Sequence, residues 1–104
     1  GEERAQRVLR RAGFRVEVSQ ARESWWMLVD GHDVEVQVRA DYLVSRFGRT
    51  YVAEVKTGEL APDPTYPPTR RQLLEYSLAF DVDGVLLVDV EAGEILEVGF
   101  PEVG

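Results

Sequence analysis

The most constraining stretch of the chain runs from Val34 to Lys56. Val34, Val36, Val38, Ala40, Tyr42 and Val44 alternate with Glu35, Gln37, Arg39, Asp41 and Leu43; after Gly48, Tyr51, Ala53 and Val55 alternate with Val52, Glu54 and Lys56. A period of two over this length means strands with one face on a core. Gly48 marks the turn, so the hairpin centres on Phe47-Gly48. The register follows: Arg46 faces Arg49, Leu43 faces Val52 and Asp41 faces Glu54. Opposed residues share a sheet face with Cβ atoms about 5 Å apart, and Lys56, two residues past Glu54, shares that face too. Two opposed carboxylates repel, and a divalent cation turns that cost into a binding site. Two carboxylates, a backbone carbonyl and water are an oxygen set suited to Mg²⁺.

The chain has eleven arginines and one lysine, Lys56. Arginine is a forked, permanently charged group, whereas lysine is a compact point charge with an adjustable pKa. The exception falls where those properties have a use.

Asp41, followed by Glu54-Val55-Lys56, resembles the PD-(D/E)XK nuclease superfamily. Gln72-Leu73-Leu74-Glu75-Tyr76 resembles the QxxxY motif of its RecB-like branch, as does Lys56-Thr57-Gly58 after the acidic strand. E-x-K alone is a weak motif; with Asp41 opposite and QxxxY on a following helix the resemblance is specific, and it spans residues 2–90. It implies an α/β fold with a restriction-endonuclease-like core, a central mixed β-sheet flanked by helices in the order αβββαβ. It implies metal-dependent hydrolysis of DNA phosphodiester bonds by an exonuclease or a structure-specific endonuclease, in repair, recombination or phage and defence DNA processing. Asp41, Glu54 and the Val55 carbonyl would hold Mg²⁺ or Mn²⁺. Lys56 would position water or stabilise developing charge, and Gln72 and Tyr76 would fix Lys56 or the DNA backbone. A first-helix glutamate ahead of a Gly-Phe pair implies Glu2 as a further metal ligand, with Glu3 competing and an ordinary helix N-terminal acid as the plain alternative. His32, ahead of the aspartate, is either a further ligand or a turn residue.

The remaining chain supplies the frame. A single domain is expected over residues 1–104. Without cysteine, disulfides and thiolate zinc sites are excluded. No apolar run reaches membrane-spanning length and no signal peptide is visible, so a cytoplasmic protein is the default expectation. The net charge of −7 argues against an indiscriminate nucleic-acid coat. It is uneven: residues 1–22 carry six arginines, while residues 81–104 carry seven acids and no base.

Ala5, Val8, Leu9 and Ala12 mark a helix over 2–12 that Gly13 stops, with Arg4, Arg7, Arg10 and Arg11 on its other sides. Strands are expected at 14–19 and 25–29, with Trp25 and Trp26 on opposite faces, one in the core and the other marking a dimer or partner surface. Pro62, Pro64, Pro67 and Pro68 make 58–69 a loop that is either functional or loose. A helix from Thr69 to Phe80 packs through Leu73, Leu74, Leu78 and Phe80. Thr69-Arg70-Arg71-Gln72 fits a capping box, which competes with a site role for Gln72. Arg70 and Arg71, near that N-terminus, would hold flanking phosphates. Gly84–Val90 reads as a strand buried on both faces, and 95–100 as an edge strand.

Two alternatives stand beside the nuclease. One is a catalytically inactive nuclease-fold domain that binds DNA or a protein partner. The other is an unrelated α/β domain with an accidental E-x-K. A homodimer or a larger parent protein is compatible with either.

Overall fold

A computed structural model describes residues 2–103, and for Glu2 the backbone alone. The elements are α1 (Glu2–Arg11), β1 (Arg15–Val29), β2 (His32–Arg46), β3 (Arg49–Lys56), α2 (Pro67–Ala79), β4 (Gly84–Asp89) and β5 (Glu94–Val98). They form an α/β fold whose five strands make one mixed sheet in the order β1-β2-β3-β4-β5. Only the β3–β4 pair is parallel, joined through α2 as its crossover. This order is compatible with the expected αβββαβ core, and β5 is the expected edge strand.

Each helix covers one sheet face. On one side Ala5 and Leu9 of α1 pack with Phe14, Tyr42, Val44, Tyr51, Ala53, Leu86 and Val88. On the other, Leu73 and Tyr76 of α2, with Phe80 just past its end, pack with Ala21, Val38, Ala40, Val52, Val85 and Leu87. Successive residues of β4 therefore serve opposite cores, which is why Val85–Val88 reads as an unbroken apolar run. Asp83 fixes the start of β3: its backbone N donates to the Thr50 carbonyl and its carboxylate accepts the Thr50 N–H, both at 2.8 Å.

The β2–β3 hairpin has the register expected from alternation, Arg46 facing Arg49 and Leu43 facing Val52. Phe47 and Gly48 both take positive φ, 53° and 76°. That two-residue left-handed turn matches the strand twist. The 14–19 and 25–29 segments are one strand. β1 pairs with β2 from Arg15↔Ser45 to Val29↔His32, closed by a second positive-φ turn at Asp30-Gly31. Its outer half leaves the sheet as a two-stranded ribbon and makes the molecule 46 Å long. Trp25 turns toward α2, where its indole N–H donates to Glu75 at 3.1 Å, while Trp26 stays 61 % exposed.

The start of α2 corrects the capping-box expectation. The helix begins at Pro67, with Tyr66 as an N-cap that makes no side-chain cap bond. Two prolines in the first turn need no partner for a missing N–H and hold φ at a helical value. The Thr69 hydroxyl instead donates to the Ala61 carbonyl at 2.8 Å. With Asp63, whose carboxylate accepts both the N–H and the hydroxyl of Thr65, it folds the proline loop into defined turns. Leu78, expected in the core, is exposed, because Leu73 and Tyr76 already fill the sheet-facing side.

Phe47 holds its left-handed conformation at 93 % exposure, with the Arg46 guanidinium 5.5 Å from its ring centroid. Phe47→Asn should stabilise the protein by about 0.5–1 kcal/mol, since asparagine tolerates that region; urea denaturation at matched m-value measures it.

Candidate metal centre

Alternation places Val52, Glu54 and Lys56 on the α2 face of β3, since Tyr51 and Ala53 fill the α1 core. Glu54 is only 5 % exposed. The Lys56 Nζ lies 3.2 Å from its Oε2, and the Tyr76 hydroxyl bonds its Oε1 at 2.9 Å. Burial and the neighbouring Asp41 carboxylate push the Glu54 pKa up, against the opposing pull of Tyr76 and Lys56. The same surroundings, burial first and then Glu54, push the Tyr76 phenol up.

Asp41 arrives by a route that alternation does not show. The β2–β3 ladder ends at Tyr42↔Ala53, so Asp41 and Glu54 are the first residues beyond it. Between Ala40 and Tyr42 strand β2 changes face: Ala40 packs on the α2 side, Tyr42 on the α1 side. Residues two apart in a regular strand share a face. The break is matched on β1, where Gln20 takes φ 56° between the pairs Ser19↔Tyr42 and Ala21↔Ala40. Released from the ladder, Asp41 accepts the Val55 N–H through Oδ2 at 2.8 Å. Direct opposition of Asp41 and Glu54 is thus replaced by a carboxylate bridging to β3, still close enough to raise the Glu54 pKa.

α2 holds the third side. Gln72 Nε2 donates to the Tyr76 hydroxyl at 3.0 Å, so the amide serves the site and not a cap. The same hydroxyl also bonds the Arg39 carbonyl at 2.9 Å. A phenol has one proton, and here two acceptors compete for it. With Glu54 protonated, its O–H can supply the phenol oxygen while the phenol proton goes to Arg39. With Glu54 ionised, the charged acceptor takes the phenol proton. Tyr76 therefore ties β2, at the strand break, to the carboxylate on β3. Among the described residues its hydroxyl makes no hydrogen bond to Lys56.

Other expected site residues lie elsewhere. His32 opens β2 opposite Val29 at the ribbon tip. Nine residues of strand, about 30 Å, separate it from Asp41, so it is a turn-proximal residue and not a ligand. The Glu2 side chain lies outside the described residues. Arg70 and Arg71 are exposed on α2, and Arg70 donates at 3.4 Å to the Thr65 carbonyl. Among the described residues no group of three or more His, Cys, Asp or Glu side chains is gathered for a metal. The groups that would hold a cation are two carboxylates, buried Glu54 and half-buried Asp41, and the Val55 carbonyl. Oxygen donors of this kind suit a hard cation. The Gln20 break and the Arg39 carbonyl were not found from sequence; Gln20 is not a residue type that signals positive φ, and a carbonyl carries no sequence signal.

No family model matches the chain, and no curated protein matches it. Among solved structures it is similar to the crystal structure of SSO0001, with TM-score 0.68 and 22 % identity over 93 % of this chain. The match spans 47 % of that protein. At this identity the likeness shows the fold, an α/β arrangement of one mixed sheet between two helices.

The raised Glu54 pKa gives a signed expectation. The folded state binds the proton more tightly than the unfolded one, so metal-free stability falls as pH rises from the ordinary value of 4.5 through the raised value. Glu54→Gln should remove that part of the decline and be the more stable form above it. Thermal melts of both proteins in EDTA across pH 4–8 (about the span that brackets a raised carboxyl) check this, and parallel curves would refute it.

Proposed function

We propose that the protein is a metal-dependent deoxyribonuclease with a restriction-endonuclease-like core of the RecB-like kind. The observation that supports it best is the buried Glu54 carboxylate, held by Lys56 and Tyr76 with Asp41 beside it. A fold gains nothing in stability from two crowded carboxylates, whereas a site for Mg²⁺ or Mn²⁺ needs them.

Asp41, Glu54 and the Val55 carbonyl would hold the cation, which when bound supplies Lewis acidity toward water and the phosphate. The chain's own residues do the rest. Asp41, anchored on the Val55 N–H, is held in one orientation. Tyr76, backed by Gln72, favours the ionised form of Glu54 by giving its proton to Oε1. Lys56 carries a compact ammonium beside the carboxylates, placed to hold a water proton or a phosphate oxygen. Arg70 and Arg71 offer charge to flanking phosphates.

Lys56→Arg keeps charge and stem but not the compact ammonium. It should leave folding and the metal response nearly intact and slow cleavage by a factor on the order of 10²–10³. Turnover of labelled linear, circular and branched DNA with Mg²⁺ or Mn²⁺ measures it; equal rates would remove Lys56 from the chemistry. Asp41→Asn should relieve repulsion yet abolish the metal-induced rise in Tm. If that rise persists, the ion binds elsewhere.

A further inference from the structure

Beyond the strand break, the β1–β2 ribbon presents a second feature. Arg22 and Arg39 are direct cross-strand partners. Opposed like charges destabilise a strand pair, and neither arginine has an acidic partner among the described residues. Ser24 and Gln37 form the next pair on that face, and Trp26, paired with Glu35, the one after. Arg22, Glu23, Ser24, Gln37, Val38 and Arg39 line one concavity of about 550 Å³, in which the Glu23 carboxylate accepts the Ser24 N–H at 3.0 Å. The face is the one opposite Ala21, Val38 and Ala40, so α2 does not cover it.

We infer that this ribbon face is a binding tract for single-stranded DNA, with Arg22 and Arg39 holding backbone phosphate and Trp26 stacking a base. Three observations carry it. The arginine pair costs stability within the chain and is unneutralised in a protein of net charge −7. Trp26 is 61 % exposed on the same face, whereas Trp25 is turned away and bonded to Glu75. Four residues of strand, about 13 Å, separate Arg22 from Trp26, a span of about two nucleotides. A positive groove with an exposed aromatic platform is the general form of single-strand recognition. Duplex would need a broader basic surface, and Glu35 and Asp33 close the tract toward the ribbon tip.

The tract also joins the candidate metal centre. The Arg39 carbonyl is bonded by the Tyr76 hydroxyl that bonds Glu54, and Asp41 follows two residues later. The tract itself lies on the sheet face opposite Glu54 and Lys56, so the link runs through the β2 backbone. DNA as its ligand rests on the nuclease reading, without requiring that cleavage occur.

The test is binding of a fluorescein-labelled oligothymidylate of about 15 nucleotides in Ca²⁺, by anisotropy over a range of salt. The Arg22→Gln/Arg39→Gln double variant should lower the salt slope by about 1.4, the value for two single-strand phosphate contacts. Its Tm should not fall, because a repulsion has been removed. Trp26→Ala should weaken binding by about fivefold to a hundredfold and lose the DNA-induced quenching of tryptophan emission; Trp26→Phe should restore most of the affinity. Unchanged slope in the double variant, or full affinity in Trp26→Ala, overturns the inference, as does a wild type that binds only duplex. Cleavage is scored separately. A wild type that binds in this way but does not cut refutes the nuclease reading alone. One that cuts while the variants bind normally refutes the tract alone.

Discussion

A carboxylate with little access to water sets the terms for everything around it. Glu54 sits in the middle of a five-stranded sheet, on the face that α2 covers, where a charge is costly unless it is paired and bonded. Lys56 comes from the same strand face, Tyr76 from the helix and Asp41 from the neighbouring strand. Remove the alternation that aims Glu54 inward and no arrangement of the others makes a site. Leave Glu54 without its partners and the sheet carries an uncompensated charge at its centre.

The strand break at Gln20 and Asp41 is the second requirement. In a regular ribbon Asp41 would share a face with Arg39 and Gln37 and be neutralised by the arginines beside it. The change of face turns it instead toward β3, where the Val55 N–H holds it. One local irregularity, with Gln20 in a left-handed conformation, thereby turns Asp41 away from the face that carries Arg22 and Arg39. Positive φ at a non-glycine residue costs of order 1–3 kcal/mol and persists where surrounding contacts hold it. Here the flanking pairs Ser19↔Tyr42 and Ala21↔Ala40 and the Tyr76 bond to Arg39 do so.

α2 joins these two features. Its first turn is fixed by prolines and by Thr69 reaching back into the loop, which frees Gln72 to orient Tyr76. A single phenol then contacts both the broken strand and the buried acid.

Much of this was written in the chain. Alternation around Phe47-Gly48 determined the hairpin and its register, because a one-residue slip would move every apolar side chain to the wrong face. The run Gly84–Val90 determined a central strand, and Gln72 with Tyr76 at i, i+4 determined a shared helix face. Tertiary structure alone decided what these residues touch. Thr69 looked like a cap because a capping box is a local pattern, and it lost that role to two prolines and a distant carbonyl. His32 looked near the site in sequence, and a straight strand carried it to the far end of the ribbon. Asp41 was expected opposite Glu54 by counting, but counting assumes a regular strand. Where β2 turns is set by packing on two faces at once, by Tyr42 against α1 and Ala40 against α2, and no window of sequence contains both helices.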